Sequence, residues 1–390
     1  MLVVPLHVDR YEVVRLLGEG AAGKVYLARD PKLGRDVAVK VLRTGVDPSF
    51  RRRFVAEAQA IARLKHPNIV ALHDYSGEQS SELYLVMEYV PGLSLFALTQ
   101  EHGPMSEPTA LGIGHEMALA LEHAHARGII HRDIKPENIL LCEGRVVLTD
   151  FGIVKLVDTS TAGERGATRS RTETLGTPGF MPPEQFAGSS IGPHTDIFSL
   201  GAVLYDLTTG RVPYEGGSIE ATYHNLRSGR YIDPREHREL LSADFAKLLA
   251  RCLAPSVKDR LADAGELRTS ILKLLKAHGV DEVRKELVAY ERAPARHAVG
   301  QRDRRVDAMV AELKEALRER DASRANAVMQ EIHKLAPLDP RMQQAAGIAA
   351  DATVMRRQAG RRAGSFWLGL LVGLVVGGAG GVVVARLLAA

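Results

Sequence analysis

The stretch His131-Arg132-Asp133-Ile134-Lys135-Pro136-Glu137-Asn138, followed shortly by Asp150-Phe151-Gly152, constrains this 390-residue chain more than any other feature. It sets a carboxylate suited to a base, a lysine, an asparagine amide and a second carboxylate on two nearby loops. Phosphoryl transfer draws on that set. One carboxylate orients a hydroxyl, oxygen ligands hold magnesium, and a cation meets the migrating phosphate. Two polar loops of chance composition would not fix eleven positions at this spacing.

Upstream, Tyr11 to Leu17 reads as a strand leading into Gly18-Glu19-Gly20-Ala21-Ala22-Gly23-Lys24-Val25, and Val25 to Ala28 reads as a second strand. Three readings of the glycines compete. A Rossmann fingerprint needs a helix to begin at the third glycine, where this chain continues as a strand. A Walker A loop needs Ser or Thr after the lysine, where this chain has Val25. The strand–loop–strand form fits a glycine-rich flap over nucleotide phosphates, with Leu17 to Val25 as its residues. Val37-Ala38-Val39-Lys40 is an alternating strand that ends in a lysine, a helix is expected from Phe50 to Lys65, and Leu83 to Val90 is a further strand closed by Pro91-Gly92.

These motifs together resemble the protein kinases, and their wording looks most like the bacterial serine/threonine kinases of eukaryotic (Hanks) type. The resemblance spans residues 8–277. It implies an α+β, bilobal fold with a small β-rich N-lobe and a large helical C-lobe. It further implies ATP and Mg2+ (or Mn2+) as cofactors and the Ser/Thr side chains of proteins as acceptors. Lys40 is then expected to contact the phosphates and pair with Glu57. Backbone groups around Glu88 and Val90 would read adenine, with Met87 at the back of the pocket. Asp133 would orient the acceptor hydroxyl, Lys135 would neutralise the transferred phosphate, and Asn138 and Asp150 would hold the metal. Arg132 would bind a phosphorylated activation loop, with Thr172 and Thr174 as candidate sites and Thr168 and Ser170 behind them. Gly176 to Glu184 resembles the segment that receives the substrate peptide, with Thr177 near Asp133 and Lys135, and Glu184 paired with Arg260. The family pattern has alanine where this chain has Pro182, which puts the backbone at Met181 and Pro182 in question. Asp196 resembles the anchor of the catalytic loop on a buried helix. Two rivals stand beside this reading: a pseudokinase scaffold signalling through its helical segment, and an aminoglycoside-type kinase of small molecules.

The formal net charge of +4 invites a nucleic-acid reading, but the excess sits in Arg356, Arg357, Arg361 and Arg362 beside an apolar run, so no nucleic-acid partner is expected. From Ala363 to Ala385 there are 23 residues without a charge. As a helix they would span about 34 Å, enough to cross a bilayer. The four arginines place the large domain on the cytoplasmic side of the inner membrane, with residues 386–390 outside. Gly369, Gly373, Gly377 and Gly381 lie on one helix face and suit close helix–helix approach. A homodimer through this face and the kinase domain is therefore expected. No signal peptide is read at Met1 to Arg10, and Cys142 and Cys252 make neither a disulfide framework nor a metal spacing. Between these parts, residues 280–362 form an amphipathic helical connector. Val306, Met309, Val310, Leu313 and Leu317 fall at helical spacing, a second helix runs from Ala322 to Leu335 and a third from Arg341 to Arg357. His115, His123 and His125 share a predicted helix without metal-ligand spacing.

Overall fold

Alternating apolar residues build the first sheet. The structure, a computed structural model, describes residues 6–336 apart from 21–22, 43–47, 79, 81, 152–177 and 320. Ala21 and Ala22 of the flap lie outside these residues, as do Gly152, Thr168, Ser170, Thr172, Thr174, Gly176, Thr177, the third connector helix and the apolar run 363–385. The sheet contains β1 (His7–Val8), β2 (Tyr11–Gly20), β3 (Gly23–Asp30), β4 (Arg35–Leu42), β5 (Leu72–Tyr75) and β6 (Tyr84–Glu88) in the order β1-β2-β3-β4-β6-β5, each neighbouring pair antiparallel. β4 lies in its interior, which explains why Val37, Ala38, Val39 and Lys40 are all buried. The flap is the β2–β3 hairpin, with Gly20 opposite Gly23 and Glu19 opposite Lys24. Helix α1 (Pro48–Ala62) follows β4 and buries Phe50, Phe54, Ala58 and Ile61, one apolar stripe at helical spacing.

The chain then turns helical. In order come β7 (Leu93–Ser94), α2 (Leu95–His102), α3 (Glu107–His125), the hairpin β8 (Ile139–Cys142) and β9 (Arg145–Leu148), α4 (Pro183–Ala187), α5 (Pro193–Thr209), α6 (Ile219–Ser228), α7 (Pro234–His237), α8 (Ala243–Cys252), α9 (Ala264–Ala277) and α10 (Val283–Arg292). Serine hydroxyls at Ser94, Ser106, Ser218 and Ser242 accept backbone N–H groups at the starts of α2, α3, α6 and α8, which fixes where these helices begin. Helix α5 is apolar on nearly every side and lies in the middle of this lobe. The arrangement is α+β and bilobal.

Two compact units emerge. The first comprises residues to Leu275 together with Val280–Pro294; the second comprises Lys276–Gly279 and the chain from Ala295 onward. Helix α10 thus packs with the first unit although it falls in the stretch assigned to the connector on sequence. In the second unit α11 (Pro294–Glu319) and α12 (Ala322–Leu335) bury Val306, Met309, Leu313, Val328, Met329 and Ile332 against one another. Among the described residues no helix is long and apolar enough to cross a membrane.

Candidate active site

The catalytic stretch is held from beneath by one carboxylate. Asp196, fully buried near the start of α5, accepts the backbone N–H groups of His131 and Arg132, each at 2.8 Å, and meets His125 Nε2 at 2.7 Å. Arg132 thereby sits at φ +68, a left-handed conformation that costs a non-glycine residue free energy and persists only where its surroundings impose it. His131 Nε2 lies 2.8 Å from the Thr149 carbonyl, and its ring packs at a tilt against Phe151, 4.6 Å between centroids. Complete burial holds His131 below its ordinary pKa, so the imidazole is neutral.

The two loops converge. Asn138 Nδ2 donates to the Asp133 carbonyl at 2.8 Å and to Asp133 Oδ2 at 3.0 Å, and Lys135 Nζ reaches the same Oδ2 at 3.2 Å. The Asn138 carbonyl accepts both the N–H and the hydroxyl of Thr149, which ties the loop before β8 to the loop after β9. Next to Thr149, Asp150 also adopts a left-handed φ of +59, and its Oδ1 meets Lys40 Nζ at 2.7 Å.

That contact corrects one expectation. Among the described residues Lys40 is paired with Asp150, not with Glu57. The charged neighbours of Glu57 are Arg132 and Arg53, and burial pushes its carboxyl above the usual range while those two cations partly counter the push. The helix is present where the sequence places it; what the structure does not show is an ion pair between Glu57 and Lys40 among the described residues.

Above these groups lies an apolar slot. Ala38, Met87, Val90 and Val147 form one cluster, with Val25 and Leu140 packed against it. A cleft behind it is lined by Lys40, Ile61, Leu72, Met87, Asp150 and Phe151. Leu140, Val147 and Arg145 were not legible as site residues. Leu140 and Val147 come from a plain apolar hairpin, and Arg145 acts through tertiary contact, bridging its guanidinium to Glu88 and to the Pro67 carbonyl. Burial works to raise the Glu88 carboxyl, but Arg145, with the Ala71 N–H and His73, holds the group below its usual range. Leu17, Gly18, Gly20 and Gly23 occupy the flap hairpin, where Lys24 pairs with Glu19 at 3.8 Å.

Pro182 proves compatible with its place. It caps the start of α4 at φ −74, ψ 159, values proline adopts without strain, and Pro183 opens the helix where an N–H is dispensable. Glu184 then meets Arg260 through two bonds of 2.8 and 2.9 Å, with Thr195 donating to the same carboxylate at 3.1 Å. The three histidines of α3 do not converge: His125 joins Asp196, His115 joins Glu116, and His123 packs at a tilt against His66.

A β lobe and a helical lobe that bring a buried lysine, two acidic loops and an apolar slot to one cleft define the bilobal kinase class. The chain belongs to the protein kinase family: the family model for the protein kinase domain matches residues 11–272. It is 38% identical over 282 residues to the serine/threonine-protein kinase PknB of Mycobacterium tuberculosis, across 70% of this chain and 44% of that protein. It is 41% identical over 212 residues to the serine/threonine-protein kinase PrkC of Bacillus subtilis, across 54% of this chain and 32% of that protein. The match thus spans less than half the length of these relatives. A crystal structure of Rad53 residues 1–466 in complex with AMP-PNP shares the fold, with a TM-score of 0.56 over 67% of this chain and 64% of that chain at 24% identity.

Proposed function

We propose that the chain is an ATP-dependent serine/threonine protein kinase. The observation that carries this is the convergence of Lys135 and Asn138 on the Asp133 carboxylate, tied through Thr149 to the Asp150–Lys40 pair below the apolar slot. In this reading the slot holds the adenine ring between Val25 and Ala38 above and Leu140 below, and the flap covers the phosphates. Asp133 accepts the proton of a Ser or Thr hydroxyl, and Lys135 lies beside the oxygen that develops charge. Asn138 and Asp150 supply hard oxygen donors. That chemistry fits Mg2+ or Mn2+, which needs only one or two protein carboxylates when phosphates complete its shell. When bound, the ion would supply positive charge to offset that of the phosphates. Asn138 and Asp150 would hold the ion, and Lys40, next to Asp150, would be placed to meet the phosphates.

The regulatory part of the proposal rests on sequence. Phosphorylation of Thr172 or Thr174 would supply an anion for Arg132. Thr177 would face Asp133 and Lys135 beside the incoming peptide. Residues 363–385 would cross the inner membrane with the kinase domain on the cytoplasmic side, and the Gly369–Gly381 face would support a homodimer. Resistance of the protein to alkaline extraction from membranes would support the span, and recovery in the soluble fraction would refute it.

The activity test is direct. Full-length protein incubated with labelled ATP and magnesium is expected to phosphorylate itself and an added protein on Ser or Thr. Asp133→Asn is expected to lower the rate by about 10²–10⁴-fold. Equal labelling by both proteins would show that Asp133 does not take the hydroxyl proton.

A further inference from the structure

Helix α10 lies beyond the segment that matches the kinase family, yet it is built into the same core. Leu287 and Tyr290 are buried in the main apolar cluster, and Leu287 lies against Gly112 of α3, where an added methyl would come within 3.3 Å of it. At its end the helix meets the turn of the β8–β9 hairpin. Cys142 pairs with Arg145, so the turn has two central residues, Glu143 and Gly144, at φ +51 and +73. Two positive φ values are what a tight hairpin turn of this kind needs, but a glutamate is a poor occupant of the first.

The poor occupant has an external support. Glu291 accepts the N–H of Glu143 at 3.0 Å through one carboxylate oxygen and the N–H of Gly144 at 2.8 Å through the other. The helix also crowds the turn: a methyl on Gly144 would stand 2.4 Å from Val288 Cγ2 and 2.9 Å from the Arg284 carbonyl. A charged acceptor bonded to two backbone donors is stronger than a neutral one and fixes the turn in position as well as in conformation.

The hairpin so fixed is a central part of the cleft. Its first strand follows Asn138 and carries Leu140; its second carries Val147 and leads to Asp150. Immediately after the turn, Arg145 bridges to Glu88, where β6 ends beside the slot.

We infer that Glu291 is a positioning residue for the nucleotide cleft, acting through the Glu143–Gly144 turn and the Arg145–Glu88 pair. The segment after the kinase domain therefore sets nucleotide affinity through its docking on this hairpin. The inference rests on the reading of the slot as a nucleotide site.

The test measures affinity and turnover separately on the full-length protein. Titration calorimetry with AMP-PNP and magnesium is expected to show Glu291→Ala binding about five-fold more weakly, less than the loss of one charge-assisted hydrogen bond to the nucleotide itself because the turn acts on the slot at one remove. Glu291→Gln is expected to fall between, and Glu291→Asp to recover part of the loss. If Glu291→Ala fails to fold, Glu291→Gln decides alone. In a double-mutant cycle with Arg145→Ala the losses are expected to be less than additive, because the two changes break one path. Unchanged affinity in a folded Glu291→Gln protein, additive losses, or no nucleotide binding by the wild type would each overturn the inference. Phosphate transfer by the same samples reports on the kinase reading: binding that depends on Glu291 without any transfer would leave the inference standing and refute the activity.

Discussion

Lys40 Nζ and Asp150 Oδ1 meet at 2.7 Å in the cleft, with the lysine side chain 7% exposed and the aspartate 28%. The pair joins the interior strand of the sheet to the loop after β9, so one contact links the two groups proposed to meet the phosphates and the metal. Lys40→Met removes the cation without removing the apolar stem. Transfer is expected to fall by about 10²–10³-fold, as when a preorganised charge is deleted. Steady-state rates with saturating protein acceptor check this; a loss below about ten-fold would show that the lysine is not at the phosphates.

The Glu184–Arg260 pair makes a stability prediction. Arg260 has no exposed side-chain surface and Glu184 has 8%. Burial works to raise the glutamate carboxyl, and Arg260 brings it below the usual range. A depressed carboxylate stabilises the fold above its unfolded pKa, and that contribution fades as pH falls through the folded value. Arg260→Leu leaves a buried charge without its cation and is expected to lose about 3–5 kcal/mol at pH 7.5. Adding Glu184→Leu is expected to restore much of that loss, as measured by urea unfolding. Equal losses in the single and double variants would show that the uncompensated carboxylate is not what destabilises the fold.

The catalytic stretch was legible because its chemistry is local. The spacing of Asp133, Lys135, Asn138 and Asp150 carries their geometry, since two short loops and one hairpin join them. Strands β2, β3, β4 and β6 were legible from alternation and turns, whereas the order in which they pair is set by tertiary contact. The partner of Lys40 was not legible: it depends on how α1 rests on the sheet and where Asp150 turns, and neither leaves a periodic signal. Pro182 looked disruptive because a family pattern was broken, whereas its φ and ψ suit the residue before a helix. Helix α10 looked like connector because amphipathic spacing shows that a face is buried, not which neighbour buries it.

Asp206 predicts a pH effect of the opposite sign. Burial, with Glu137 nearby, pushes its carboxyl up to about 6 from an ordinary 3.8. The folded state then binds the proton more tightly than the unfolded state, so stability falls as pH rises from about 4 to about 6. Asp206→Asn removes the titration. Its melting temperature is expected to exceed the wild type by a few degrees at pH 7.5, corresponding to about 1–2 kcal/mol, and by little at pH 4. A gain that does not change with pH would place the cause elsewhere.

Asp196 and Arg132 separate anchoring from charge. The Asp196 carboxylate faces two backbone N–H groups and His125, so Asp196→Asn turns an amide N–H2 toward donors in a fully buried site. Stability is expected to drop by about 2–4 kcal/mol, and turnover to drop with it as Asp133 loses its fixed position. Arg132→Gly has the reverse profile. Glycine accepts the left-handed backbone at φ +68 without strain, which offsets part of what is lost when partly buried Glu57 loses Arg132 as a neighbouring cation, so stability is expected to fall by less than in Asp196→Asn. What the glycine removes is the guanidinium proposed to bind the phosphorylated segment. Activity of the Arg132→Gly protein is therefore expected to become insensitive to phosphatase treatment, whereas the wild type slows after the same treatment. Melting curves beside assays before and after dephosphorylation distinguish the two variants. An Arg132→Gly protein that unfolds like Asp196→Asn would mean that the arginine side chain, not the carboxylate below it, holds the loop.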